Sequence, residues 1–142
     1  MATIGSRRVI PGVLAGGVVW GIWSTLVNLV ILKSKYAFAQ ANHLMLSQPR
    51  YPLFVLYWFV MIFLVTYLLT WVYASARATL GPGPVTALRV GLLMGFIMGF
   101  PLSLTMAAWA PFSRVITLWW MFDLWGGAII ATLVSAWLDK ES

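Results

Sequence analysis

Cysteine is absent from this chain, and acids and histidine are nearly so: three acidic residues and one histidine in 142 positions. Each shortage closes a class of chemistry. Without cysteine there is no disulfide, no thiolate nucleophile and no cysteine-ligated iron–sulfur cluster. Asp139 and Glu141 lie on the C-terminal tail, which leaves Asp123 as the only acid in an apolar segment. One chain therefore cannot assemble the carboxylate pair of general acid–base catalysis, and a lone histidine, His43, builds neither a triad nor a metal cluster. Bis-histidine haem ligation would need a second copy of the chain. The expectation is a protein without catalysis of its own.

Charge is scarce too: 8% of residues are charged, whereas 62% are hydrophobic. The net charge of +6 comes from nine Lys and Arg residues scattered at segment ends, not gathered into a stripe. That pattern argues against nucleic acid as a partner and for anionic lipid headgroups. Four uncharged or nearly uncharged runs, about 13–32, 52–76, 85–109 and 113–138, are each long enough to cross a hydrocarbon core of roughly 30 Å at 1.5 Å per residue. The predicted fold is all-α: a single polytopic membrane domain, 1–142, of four transmembrane helices in an up-down bundle. Arg7-Arg8, the first run and Ala37-Phe38-Ala39 imitate an export signal. The run is too long for a signal core, and Lys33 and Lys35 interrupt the approach to the imitated cleavage site, so an uncleaved first span after a polar start, 1–12, is expected.

Small residues supply the packing pattern. Ala87, Gly91, Gly95, Gly99, Ser103 and Ala107 recur every fourth position in the third run, with Pro101 placed to kink it. Such spacing lets two helix backbones approach closely in lipid, where dispersion replaces the hydrophobic effect as the main attraction. On this reading the third span is the hub of the bundle. Gly17, Gly21 and Thr25 form a shorter stripe in the first span, and Asp123, Gly127, Ala131 and Ser135 form another in the fourth. Asp123 is thus expected on a close-packed face, neutral or paired, tying helices to Asn28, Ser24 or a tyrosine hydroxyl, or else relaying a proton or cation.

Aromatic placement leaves a choice open. Trp20 and Trp23 fall in the middle of the first span, although membrane tryptophan favours the headgroup level. Either they fill notches left by glycine on a neighbour, or with Trp125 they wall a site for a flat lipophilic ligand. The second span is rich in aromatics and has no glycine, and it places Thr66, Thr70 and Tyr73 on one side. Between the first two spans the longest connection has room for a short interfacial helix, with Phe38, Ala41 and Met45 on one face and His43 in solvent.

Gly81-Pro82-Gly83-Pro84 breaks the chain between the second and third spans and makes them an antiparallel hairpin. Val72-Tyr73-Ala74, Arg77, Leu80 to Pro84, Thr86-Ala87-Leu88-Arg89 and Gly91-Leu92 resemble a small bacterial family of four-span membrane proteins with a GPGP turn. The resemblance covers about a third of the chain. It implies architecture and a bacterial inner-membrane setting, and no reaction or site. With both termini cytoplasmic, Arg7, Arg8, Arg77, Arg89 and Lys140 are inside and Lys33, Lys35, Arg50 and Arg114 outside, a slim bias in the expected direction.

Three functions fit these residues. The chain is a non-catalytic accessory subunit, packing with other integral membrane subunits or with itself as a homo-oligomer. Alternatively it is an oligomeric carrier of small solutes or protons using Asp123. In the third reading it binds a lipophilic cofactor, a quinone, carotenoid or chlorophyll, beyond its membrane lipids. Small multidrug exporters share the length and span number but depend on an acid in the first span, and this first span has none.

Overall fold

The computed structural model describes residues 6–140, which are mostly helical with no strand among them. Helix α1 (Ser6–Leu26) runs into a single π-helical segment, Val27–Ile31; α2 (Lys33–Ala41) is short; α3 (Phe54–Leu80), α4 (Pro84–Trp109) and α5 (Arg114–Lys140) are long. Four helices are long and apolar enough to cross a membrane, the first from Val9 to Ile31. Helix α1 begins earlier than the polar start suggested, and it continues through Pro11, its sixth residue.

Helix α5, not α4, is the hub. It packs along α4 on one flank and along α1 on the other, and α3 lies across the gap, mainly against α1. The α4–α5 contact is the closest. A Cβ on Gly91 would lie 2.7 Å from the Cα of Ile129, one on Gly95 2.9 Å from Trp125 Cδ1, and one on Gly99 3.0 Å from the Met121 carbonyl oxygen. Ala87, Gly91, Gly95, Gly99 and Ser103 are buried, whereas Ala107 is exposed. A fourfold repeat advances about 40° past a full turn at every step, so the stripe walks off a nearly straight contact before reaching Ala107. Helix α4 continues through Pro101, which lies on its exposed side.

On the other flank, Gly12 and Gly16 of α1 rest on the backbone of α5 at Ser135 and Ala131. The hydroxyl of Ser135 donates to the Gly12 carbonyl (2.9 Å) and accepts from Thr70 of α3 (3.1 Å), joining three helices at one point. Thr66 donates to the Ile62 carbonyl one turn back in α3, and the single Thr70 proton is shared between Ser135 and the Thr66 carbonyl, so no buried hydroxyl there goes unmet.

The turn between α3 and α4 needs both of its glycines. Gly81 has φ +82° and Gly83 φ +139°, conformations that side chains resist. Pro84 then opens α4, where a missing amide hydrogen costs nothing. Side chains from both helices tie the turn down. The Tyr73 hydroxyl accepts from the Gly83 amide (3.3 Å), Thr86 donates to the Gly81 carbonyl (2.7 Å), and Arg77 pairs with Asp139 of α5.

Helix α2 folds back over the end of the bundle opposite the start of α1 and the end of α5. Its buried residue is Ala39, while Phe38 and Ala41 face outward and Met45 lies beyond its end, so the expected Phe38–Ala41–Met45 face does not form. His43 terminates it with φ +57°: the amides of His43 and Leu44 donate back to Gln40 and Ala39 in a Schellman arrangement.

Candidate functional site

The stripe Asp123, Gly127, Ala131, Ser135 faces α1 along its whole length, and Asp123 sits at its end nearer α2. At 1.5 Å per residue it lies roughly 13 Å along α5 from Arg114. Only 2% of its surface is exposed. Oδ2 accepts from the Ser24 hydroxyl (2.8 Å) and from the Asn28 amide nitrogen (3.0 Å). Ser24 and Asn28 are one turn apart, so a single face of the first span supplies both donors.

A second ring of polar contacts holds these partners. Ser24 Oγ accepts from the Trp58 indole of α3 (2.9 Å), and Asn28 Nδ2 also donates to the Ser24 carbonyl (2.9 Å). The side-chain oxygen Oδ1 of Asn28 accepts from the Tyr36 hydroxyl of α2 (2.6 Å), which in turn accepts from the Trp120 indole of α5 (2.6 Å). The π turn, closed by the Leu32 amide on the Val27 carbonyl (2.9 Å), turns both Val27 and Leu32 inward and lets α2 reverse over the cluster. One network thus joins α1, α2, α3 and α5. Burial holds the Tyr36 phenol above its ordinary pKa of 10.0; the Trp120 N–H works against that rise and the negative field of Asp123 adds to it.

Two buried polar atoms stand outside the network. Asp123 Oδ1 and Trp20 Nε1 make no hydrogen bond of good geometry among the described residues, although the Trp20 indole N–H lies near enough to the carboxyl group to act as a weak donor toward it. Trp20 is locked by packing: it lies on Gly127, where even a Cβ would overlap its ring. Trp23 covers Gly126 and reaches the Phe122 carbonyl (3.3 Å). Trp125 turns instead to α4, where it bonds the Leu92 carbonyl (3.1 Å) and meets Phe96 edge-on. Trp20 and Trp23 therefore occupy the glycine notches of α5, and the three indoles do not form one wall.

Gly17 and Gly21 face α3, where Phe63 and Phe59 cover them. Beside these rings an apolar groove of about 370 Å³ opens to the outside between α1 and α3. Among the described residues no three acidic or histidine side chains gather into a metal site.

The outer face of α3 carries a different anomaly. Tyr67 (47% exposed) and Trp71 (53%) point away from the bundle at the middle of a span, and neither polar tip has a hydrogen-bond partner among the described residues. The outward hydroxyls of Thr25, Ser75 and Thr105 bond carbonyls of their own helices, whereas Tyr57, Thr79, Trp109 and Trp137, outward nearer the span ends, are as unbonded as Tyr67 and Trp71. No known protein family, curated protein or solved structure matches the chain.

Of the cluster, Asp123, Asn28 and Ser24 were recognisable as polar residues in apolar runs. Trp58, Tyr36 and Trp120 were not. Their rings read as ordinary membrane aromatics, and the one available signal was the excess of indole and phenol tips over the headgroup positions that normally receive them.

Proposed function

We propose that this chain is a non-catalytic integral membrane subunit that works by packing into a larger membrane assembly. The observation that carries the reading is the outward pair Tyr67 and Trp71. A phenol and an indole at the headgroup level are met by water and lipid, but at mid-depth their O–H and N–H meet only hydrocarbon, and an unmet polar group there is costly. A protein surface on α3 would meet them. Within the bundle, by contrast, the polar groups around Asp123 are spent on joining α1, α2, α3 and α5, a tie that suits a scaffold. A bacterial inner membrane, with both termini on the cytoplasmic side, is the setting that goes with it.

A second reading, a carrier of protons or small cations, is favoured by one feature: Asp123 Oδ1 is buried and makes no hydrogen bond of good geometry among the described residues. Extraction of the full chain in mild detergent, followed by native mass spectrometry and an absorption spectrum, separates the readings. Masses above that of the single chain are expected. A stable monomer with saturable transport in liposomes would overturn the subunit reading in favour of the carrier, and a coextracted chromophore would replace both with cofactor binding.

A further inference from the structure

We propose that the cavity between α2 and the start of α5 binds the phosphate headgroup of an anionic phospholipid. Helix α2, folded over the end of the bundle, leaves a space of about 390 Å³ against the connection from α4 to α5, lined by Ser34, Lys35, Phe38, Ala39, Leu44 and Ser113. That is the size of a small-ligand site, about 300–1,000 Å³. Its three polar side chains share one trait. The Ser34 hydroxyl and the Lys35 ammonium have no hydrogen-bond or ion-pair partner among the described residues, and Ser113 Oγ accepts from the Val115 amide (3.3 Å) while its own proton reaches no protein acceptor. Two hydroxyl protons and an ammonium on one cavity suit an anion with several acceptor oxygens, which is what a phosphate offers.

Charge narrows the occupant. Lys33, Lys35, Arg50 and Arg114 are exposed at this end of the bundle, and none of the three acids of the chain answers them. Asp139 pairs with Arg77 at the opposite end, Glu141 follows it in the chain, and Asp123 is buried with Oδ2 bonded to Ser24 and Asn28. Anionic lipid is drawn to such a surface. A zwitterionic lipid has the same phosphate but would bring an ammonium among four unanswered cations. Depth points to lipid as well. The first span ends at Ile31 and the fourth begins at Arg114, so Lys35, four residues past the one, and Ser113, one residue before the other, lie at the headgroup level. Phe38, 65% exposed, and Leu44 give the cavity an apolar wall that a free phosphate would leave bare and the glycerol and first acyl carbons of a lipid would cover.

The full chain in mild detergent is titrated with phosphatidylglycerol and, separately, with phosphatidylcholine of the same acyl chains, and bound lipid is counted by native mass spectrometry. Phosphatidylglycerol should bind the more tightly, saturating first at one per chain. Lys35→Gln should weaken that first step about fivefold, the effect of one basic residue at an anionic surface, and adding Ser34→Ala should weaken it further. Both side chains are exposed, and an unchanged far-ultraviolet circular dichroism spectrum would show the bundle intact. Arg50→Gln removes an exposed cation from the same end without touching the cavity, and should leave binding close to the parent. Equal weakening by Arg50→Gln and Lys35→Gln would mean diffuse attraction to a basic surface and overturn the site. Equal binding of the two lipids would overturn the anionic headgroup. Displacement of phosphatidylglycerol by inorganic phosphate at matched concentration would reveal an ion site that needs no lipid, and would overturn the lipid as occupant. None of these results bears on the assembly reading, which stands on the outer face of α3.

Discussion

The same substitution at two glycines should move stability in opposite directions. A Cβ on Gly91 would lie 2.7 Å from Ile129 Cα, 3.2 Å from the Ala128 carbonyl oxygen and 3.3 Å from the Ile129 nitrogen. All three atoms are backbone and cannot swing aside. Carbon atoms in contact prefer about 3.5–4.0 Å, so Gly91→Ala pushes α4 from α5 by about 1 Å, and a gap of that size forfeits a quarter to a half of the dispersion attraction along the contact. Overpacking of this kind costs about 1–3 kcal/mol. Replacing Gly by Ala inside a helix returns up to about 1 kcal/mol, which leaves a net loss of up to about 2 kcal/mol. At Gly21 the new Cβ would meet Phe59 Cε1 at 3.1 Å and Cδ1 at 3.5 Å, the edge of a ring that borders the open groove. A small tilt of that ring relieves the contact, so the helix term dominates and Gly21→Ala gains up to about 1 kcal/mol. Unfolding of the purified protein by SDS titration in mixed micelles, followed by tryptophan fluorescence, reads the order directly. The argument is refuted if Gly91→Ala proves as stable as Gly21→Ala.

Three further outcomes follow from the geometry. Gly81→Ala should cost about 1–3 kcal/mol through backbone strain alone, because φ is +82° and no atom lies within 4 Å of the new methyl group; an unchanged SDS midpoint would contradict the strain. Asp123→Leu strips the acceptor from Ser24 and Asn28 and should cost about 1–3 kcal/mol, while Asp123→Asn can keep an oxygen in the place of Oδ2 and should stay within about 1 kcal/mol of the parent; equal stability of the two variants would show that the tie contributes nothing. The fold prefers neutral Tyr36, since its pKa is raised, so its contribution is full below pH 10 and is lost as pH climbs beyond. Alkaline titration should therefore loosen α2 in the parent and not in Tyr36→Phe, and identical alkaline profiles would remove Tyr36 from the account.

Local pattern made the architecture legible. Hydropathy and length marked four spans, the two glycines between prolines marked the hairpin, and fourfold small residues marked the faces on which backbones meet. Each is a property of one helix or one turn, so no distant contact is needed to read it. Asp123 belonged to that legible part, as a lone acid in register with Gly127, Ala131 and Ser135. Which helix each stripe meets was decided only in three dimensions. A stripe gives the close face of its own helix but not the crossing that selects a partner, and α4 lost the place of hub because its stripe meets mainly α5, while α5 offers one face to α4 and another to α1. The ring around Asp123 was hidden for the same reason. Tyr36 reaches Asn28 only because a π turn lets α2 fold back, and Trp58 reaches Ser24 only because α3 lies across α1; neither event has a periodicity that the chain could display in advance. Tyr67 and Trp71 complete the contrast. The sequence held them at the centre of a span from the start, but only the packing of the other three helices left them facing out.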